Sequence, residues 1–265
     1  MGDHTTWFTL LMPEFWHALE NNAAEYLARD WQYMMFTATS FTLVHVAGAL
    51  LAALFIIFLA TRYRQSIQDP ASKNGVVPPR RFGLAAITDT FVEAVFNLSK
   101  DVMGEKNAAK FLPLTGTLAL FIFCCNIQGL IPGFLPPTDT LKTNLGLALL
   151  VFLVYNFYGL KENGVDYLLH FCGPKIGGFP WMFPLFIPIE IISHIARPVS
   201  LSLRLTGNMV ADHKVVGVVA LMIPFLVPLP FLMLGTVVCI VQTLVFTLLT
   251  IIYIGLAVEH HEEGH

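Results

Sequence analysis

From Met34 to Thr61 the chain runs for 28 residues without one Asp, Glu, Lys or Arg. About 20 such residues, rising ~1.5 Å each as a helix, cross a hydrocarbon layer ~30 Å thick. The run therefore reads as a membrane-spanning helix. The composition agrees: 55% of the residues are hydrophobic, 12% are charged, and the mean hydropathy is +0.67. Soluble domains carry about 25% charged residues, so lipid must be the solvent for much of this surface. The net charge of −3, with nine His uncounted, lacks the basic footprint of a nucleic-acid binder.

Cys124, Cys125, Cys172 and Cys239 form no CxxC pair and read as small buried hydrophobes rather than metal or disulfide partners. The opening MGDHTTWFTLLMPEFW is acidic where a secretory leader is basic, so no signal peptide is expected. Met1-Gly2 with Thr6 matches the loose myristoylation pattern, which a multi-span protein does not need.

Residues 14–31 have the spacing of an amphipathic surface helix. After the first span, Arg62, Arg64, Lys73, Arg80 and Arg81 face one acidic residue, Asp69, which marks a cytoplasmic loop and leaves the N-terminus outside. Residues 82–103 predict a helix along the cytoplasmic interface. A second span is expected over 111–131, ending in the external turn NIQGLIPGFLPPTD, and a third over 144–160. From Trp181 to Val258 the chain is almost continuously apolar, with Pro224, Pro228 and Pro230 at a turn between helices 184–220 and 231–258. The first of these is too long to stand upright in ~30 Å of hydrocarbon and must tilt.

The expected fold is an all-α polytopic membrane protein with about five membrane-embedded helices plus an interfacial amphipathic helix, the last two long and strongly tilted. Its segments are an external stretch (1–33), a first span (34–61), a cytoplasmic loop and interfacial helix (62–110), a membrane domain (111–258) and a cytoplasmic tail (259–265).

Glu190, His194, Arg197, Arg204, Asn208, Asp212, His213 and Lys214 interrupt the last apolar stretch. At 100° per residue, Glu190, His194, Arg197, Leu201, Arg204 and Asn208 share one stripe, and His213 falls on the opposite face. A charge at the bilayer centre costs about 2.5–3.5 kcal/mol, so such residues face a partner or a watery cavity. Glu190 with His194 or Arg197 forms a plausible internal pair, but Arg204 has no carboxylate within a turn or two of its own stripe. Its counter-charge is expected from elsewhere.

The segment ISHIARPVSLSLRLTGNMVADH resembles the signature of subunit a of F-type ATP synthases, in which Pro-Val-Ser-Leu-x-Leu-Arg-Leu-x-x-Asn carries an essential arginine. NIQGLIPGFLPPTDTLKTNLGLAL and VQTLVFTLLTIIYIGLAVEHH are similar to two further stretches of that family, in the family's order. The resemblance implies a stator subunit beside a rotating ring of c subunits, with two offset half-channels, peripheral-stalk b subunits and other synthase subunits as partners, and a bacterial inner-membrane location. It implies that Arg204 stands between the half-channels opposite the ring carboxyl groups. Glu190 would line the cytoplasmic half-channel, and His194 would lie on the proton path. Asn208, His213 and Gln242 would lie around the arginine and the outer half-channel, with Asp212 and Ser200 as further candidates. Asn208 and Gln242 are equally compatible with interhelical hydrogen bonding. Arg197 is expected to pack or snorkel rather than act.

One position departs from the family pattern. Some members place a carboxylate nine residues after the arginine and a histidine seven before the glutamine, and others exchange the two. Here the first is His213 and the second Gly235, so the usual proton-relaying partner is missing, and either Asp212 compensates or water fills the space beside Gly235. No cofactor or metal is expected, and His260, His261, Glu262, Glu263 and His265 read as a solvated tail. His45, His194 and His213 do not pair as haem ligands, and the GxSG motif of an intramembrane protease is absent. A stand-alone cation channel or antiporter is the alternative function.

Overall fold

The computed structural model describes residues 6, 10–27, 43–68, 83–131, 134–170, 183–222 and 228–258. Among them the regular structure is helical: α1 (Pro13–Leu27), α2 (Val44–Gln68), α3 (Leu84–Gln128), a 3-10 turn (Pro137–Asp139), α4 (Leu141–His170), α5 (Phe183–Met222) and α6 (Pro228–Val258). Helices α2, α3, α4 and α6 are long and apolar enough to cross a membrane. α5 has 40 residues but carries Glu190, Arg197, Arg204, Asp212 and Lys214, and it joins the layer by packing against α4 and α6. This is the expected all-α polytopic membrane protein.

Pro13 opens α1, where its missing N–H costs nothing. Leu11, Phe15 and Leu19 recur every four residues on an exposed apolar face. Glu20 Oε1 accepts the Leu43 N–H at 3.3 Å, which ties α1 to the head of α2. The remainder of the expected surface helix (28–31) and the first part of the expected span (34–42) lie outside the described residues, as do Cys172 and the tail 259–265. α2 continues past Thr61 because nothing breaks it before Pro70, and the Arg62 guanidinium lies over the Phe58 ring at 5.5 Å.

α3 contains the expected interfacial helix and the second span, joined at Gly104 (φ 76°, ψ 162°). The chain folds back there. The Phe91 and Phe123 ring centroids are 6.1 Å apart, whereas a straight helix would separate these positions by about 48 Å at ~1.5 Å per residue. Tyr63 Oη also donates to Asp89 Oδ1, fastening the first half of α3 to α2. Only glycine adopts the Gly104 conformation readily, and another residue pays about 1–3 kcal/mol. Gly104→Ala is therefore expected to lower the amount of folded protein in membranes. Gly116→Ala, where a Cβ meets nothing within 4 Å, is expected to leave it unchanged; immunoblots of membranes compare the two.

α3, α4, α5 and α6 share one core, in which Ile122, Val151, Leu205 and Phe246 are buried. In that core Phe111 meets Tyr158 edge-on at 4.8 Å. At one end Lys110 of α3 pairs with Glu162 of α4 and lies over the Tyr158 ring at 5.0 Å. Cys124, Cys125 and Cys239 are buried free thiols, as their apolar surroundings predict.

Candidate functional site

α5 turns Leu201, Leu205 and Met209 into the core, where they are 3%, 0% and 2% exposed. Its other side presents Ile192, Ile195, Val199 and Leu203 outward. Arg204 is exposed as well, about 100° around the helix from Leu203 and close to the exposed Ser200 and Asn208. Among the described residues it makes no hydrogen bond and no ion pair; the two ion pairs are Lys100 with Glu105 and Lys110 with Glu162. A guanidinium on an apolar membrane surface is expensive unless something outside the chain receives it.

The polar stripe does not share one environment. Arg204 and Asn208 are exposed, Glu190 and Arg197 are half-buried, and His194 and Leu201 are buried. Helical geometry accounts for the split. Leu201 and His194 stand about 60° and 80° around from Arg204, towards Leu205 at about 100°, so that edge of the stripe turns into the bundle. His194 Nε2 lies 2.8 Å from Asn156 Oδ1, and its ring meets Phe152 at 5.1 Å and Tyr155 at 5.4 Å. The histidine thus fastens α5 to α4. Glu190 and Arg197 lie within electrostatic reach of it. The Arg197 guanidinium lies over the Tyr253 ring at 5.5 Å, a packing contact with α6. Ser200 is exposed on the Arg204 side.

Asn208 Nδ2 donates to Gln242 Oε1 at 2.6 Å. The two residues join α5 to α6 one turn from Arg204, and Gln242 is buried. Asp212 occupies the space that Gly235 leaves. A Cβ on Gly235 would stand 2.6 Å from Asp212 Oδ2 and 3.0 Å from Leu130 Cδ2. A carboxylate from α5 therefore fills the notch in α6. His213 reaches the other way, towards the α3–α4 connection. Its Nε2 would lie 3.0 Å from a Cβ on Gly129, and it feels the charges of Asp139, Asp212 and Lys214. No group of three or more His, Cys, Asp or Glu side chains among the described residues is placed to hold a metal ion.

The sequence reading missed the partners. These are Asn156 for His194, and the buried Asn126, Thr138 and Asn144 that reach the half-buried Thr206 of α5. The available signal was amide side chains inside otherwise apolar spans.

Residues 42–255 match the family model described as the ATP synthase A chain. The chain belongs to this family. It is 41% identical over 216 residues to ATP synthase subunit a of Sorangium cellulosum, covering 80% of this chain and 82% of that one. Against ATP synthase subunit a of a Nitratiruptor species the identity is 41% over 224 residues, covering 84% and 93%. For that of Bdellovibrio bacteriovorus it is 39% over 217 residues, covering 82% and 92%. As an ATP synthase A chain family member, the protein is a membrane (Fo) component of a multisubunit ATP synthase and takes part in proton transport. Other subunits of that complex are its partners, and a bacterial membrane is its location.

Proposed function

We propose that Arg204 is the stator charge that faces carboxyl groups on a ring of c subunits, and that protons reach it by two offset half-channels. The observation carrying this reading is the exposed Arg204 guanidinium, unpaired among the described residues, on a helix whose Leu201, Leu205 and Met209 face is packed. At about 4 Å and an effective dielectric near 20, the guanidinium attracts a carboxylate by about 4 kcal/mol. That is enough to draw a proton off a carboxyl group kept protonated by burial. Arginine suits the task because it holds its charge in apolar surroundings where lysine loses it.

The outer path winds around α5. Taking Arg204 as zero, His213 stands at about 180°, Asp212 at about 80° and Asn208 at about 40°, each closer to Arg204 along the helix than the last. The imidazole and the carboxylate relay the proton. The Asn208–Gln242 pair lies between them and the guanidinium and does not titrate. On the inner side Glu190 carries the path, and His194, bonded to Asn156, holds α5 against α4 beside it. Orientation follows the basic loop after α2, with the N-terminus outside and the C-terminus in the cytoplasm. Peripheral-stalk b subunits complete the stator. The test is ATP-driven proton pumping by complexes carrying Arg204→Ala; undiminished pumping removes the proposal.

A further inference from the structure

Across α5 from Arg204, a continuous set of hydrogen bonds joins four helices. Thr206 lies two residues from Arg204 and so about 200° around the helix. Its hydroxyl donates to Ser202 O at 2.9 Å and accepts from Asn144 Nδ2 of α4 at 2.7 Å. The second Asn144 Nδ2 proton goes to Thr138 O in the 3-10 turn at 2.6 Å. Thr138 Oγ1 donates to Asn126 Oδ1 of α3 at 2.8 Å, and Cys239 Sγ of α6 donates to Asn126 O at 3.5 Å. Asn126, Thr138 and Asn144 are all buried.

Lipid tails are as apolar as the side chains they would replace, so apolar burial alone discriminates little between rotations of a membrane helix. Hydrogen bonds are directional, and a buried donor that loses its acceptor pays for its desolvation. The Thr206–Asn144 bond is the member of this set that touches α5, and it lies directly across the helix from Arg204. We infer that Asn144 and Thr206, braced by Thr138 and Asn126, are positioning residues that, with the Asn208–Gln242 and His194–Asn156 pairs, set the rotation of α5 and thereby aim Arg204 outward. The aiming rests on the role proposed above for Arg204; the lock itself does not.

The experiment therefore reads rotation and activity separately in the assembled complex. With the four native cysteines replaced, nitroxides placed singly along residues 199–211, omitting 204, 206 and 208, give an oxygen-accessibility wave whose phase reports the rotation of α5. Thr206→Val keeps the side-chain shape and removes the hydroxyl. It is expected to shift the phase and to lower ATP-driven pumping per assembled complex about tenfold, the factor that accompanies loss of one buried hydrogen bond. Thr206→Ser is expected to restore both. Thr117→Val, whose hydroxyl bonds only to Pro113 O within α3, is expected to change neither. If Thr206→Val does not accumulate, Asn144→Ser is read in the same way, since it withdraws the donor from Thr206. A shifted phase with undiminished pumping supports the lock and removes the Arg204 reading. An unshifted phase overturns the inference whatever the pumping does.

Discussion

Complexes carrying Arg204→Ala are expected to assemble and to have lost ATP-driven proton pumping. The side chain is exposed and bonds to nothing described in its own chain, so removing it leaves no cavity and no orphaned partner within the subunit. Assembly, followed by blotting for the other subunits, should be close to normal. The effect on transport should be large. Forfeiting about 4 kcal/mol of attraction for a ring carboxylate corresponds to roughly a thousandfold in equilibrium terms, which takes pumping below detection. On the proposed reading the same substitution also removes the fixed positive charge between the two half-channels. Passive proton leak under an imposed gradient is therefore expected to rise as driven pumping vanishes. A purely structural role for Arg204 predicts lower assembly and unchanged pumping per complex.

The second large effect is expected where Asp212 meets Gly235. Asp212→Asn keeps the shape and removes the carboxylate proposed to carry the proton. A positioned acid or base contributes about a hundredfold or more to a proton-transfer step, and pumping should fall on that order with assembly intact. Gly235→Ala acts on the same carboxylate from the other helix. A Cβ there would stand 2.6 Å from Oδ2, so the Asp212 side chain must leave the notch. Overpacking of this kind costs about 1–3 kcal/mol, and pumping should drop about tenfold or more. Exchanging the two residues, Asp212→Gly with Gly235→Asp, returns a carboxylate to the same space from α6 and is expected to recover part of the activity. If each single substitution pumps normally, Asp212 is not on the path.

Much of the fold was legible because lipid punishes interruption so plainly. Helices expected over 184–220 and 231–258 are found as Phe183–Met222 and Pro228–Val258. α6 starts three residues early because proline, which breaks a helix interior, fits its first turn. The gap left between the interfacial helix and the second span is filled by Glu105, Lys106, Ala108, Ala109 and Lys110, which are good helix formers. Gly104 alone separates the two helices, and from sequence one glycine does not reveal that the chain doubles back.

The site was legible one helix at a time. The wheel set Arg204 apart from His213, and it placed Asn208 on the flank where Gln242 is found. It grouped His194 with Arg204, yet the structure buries the histidine against Asn156, because about 80° is enough to move a residue from an outward face to an inward one. Contacts such as Asp212 with Gly235 and Thr206 with Asn144 join residues on different helices. Periodicity along one helix carries no information about which residue the neighbour presents.

The most direct measurement is the structure of the assembled synthase, resolved well enough to place the α5 side chains against whatever covers them. The account predicts the Arg204 guanidinium within about 4 Å of a membrane-embedded carboxyl group on an adjacent ring of helices, the range in which its attraction reaches about 4 kcal/mol. A guanidinium directed into lipid, or bonded to its own chain with no ring beside it, would contradict it.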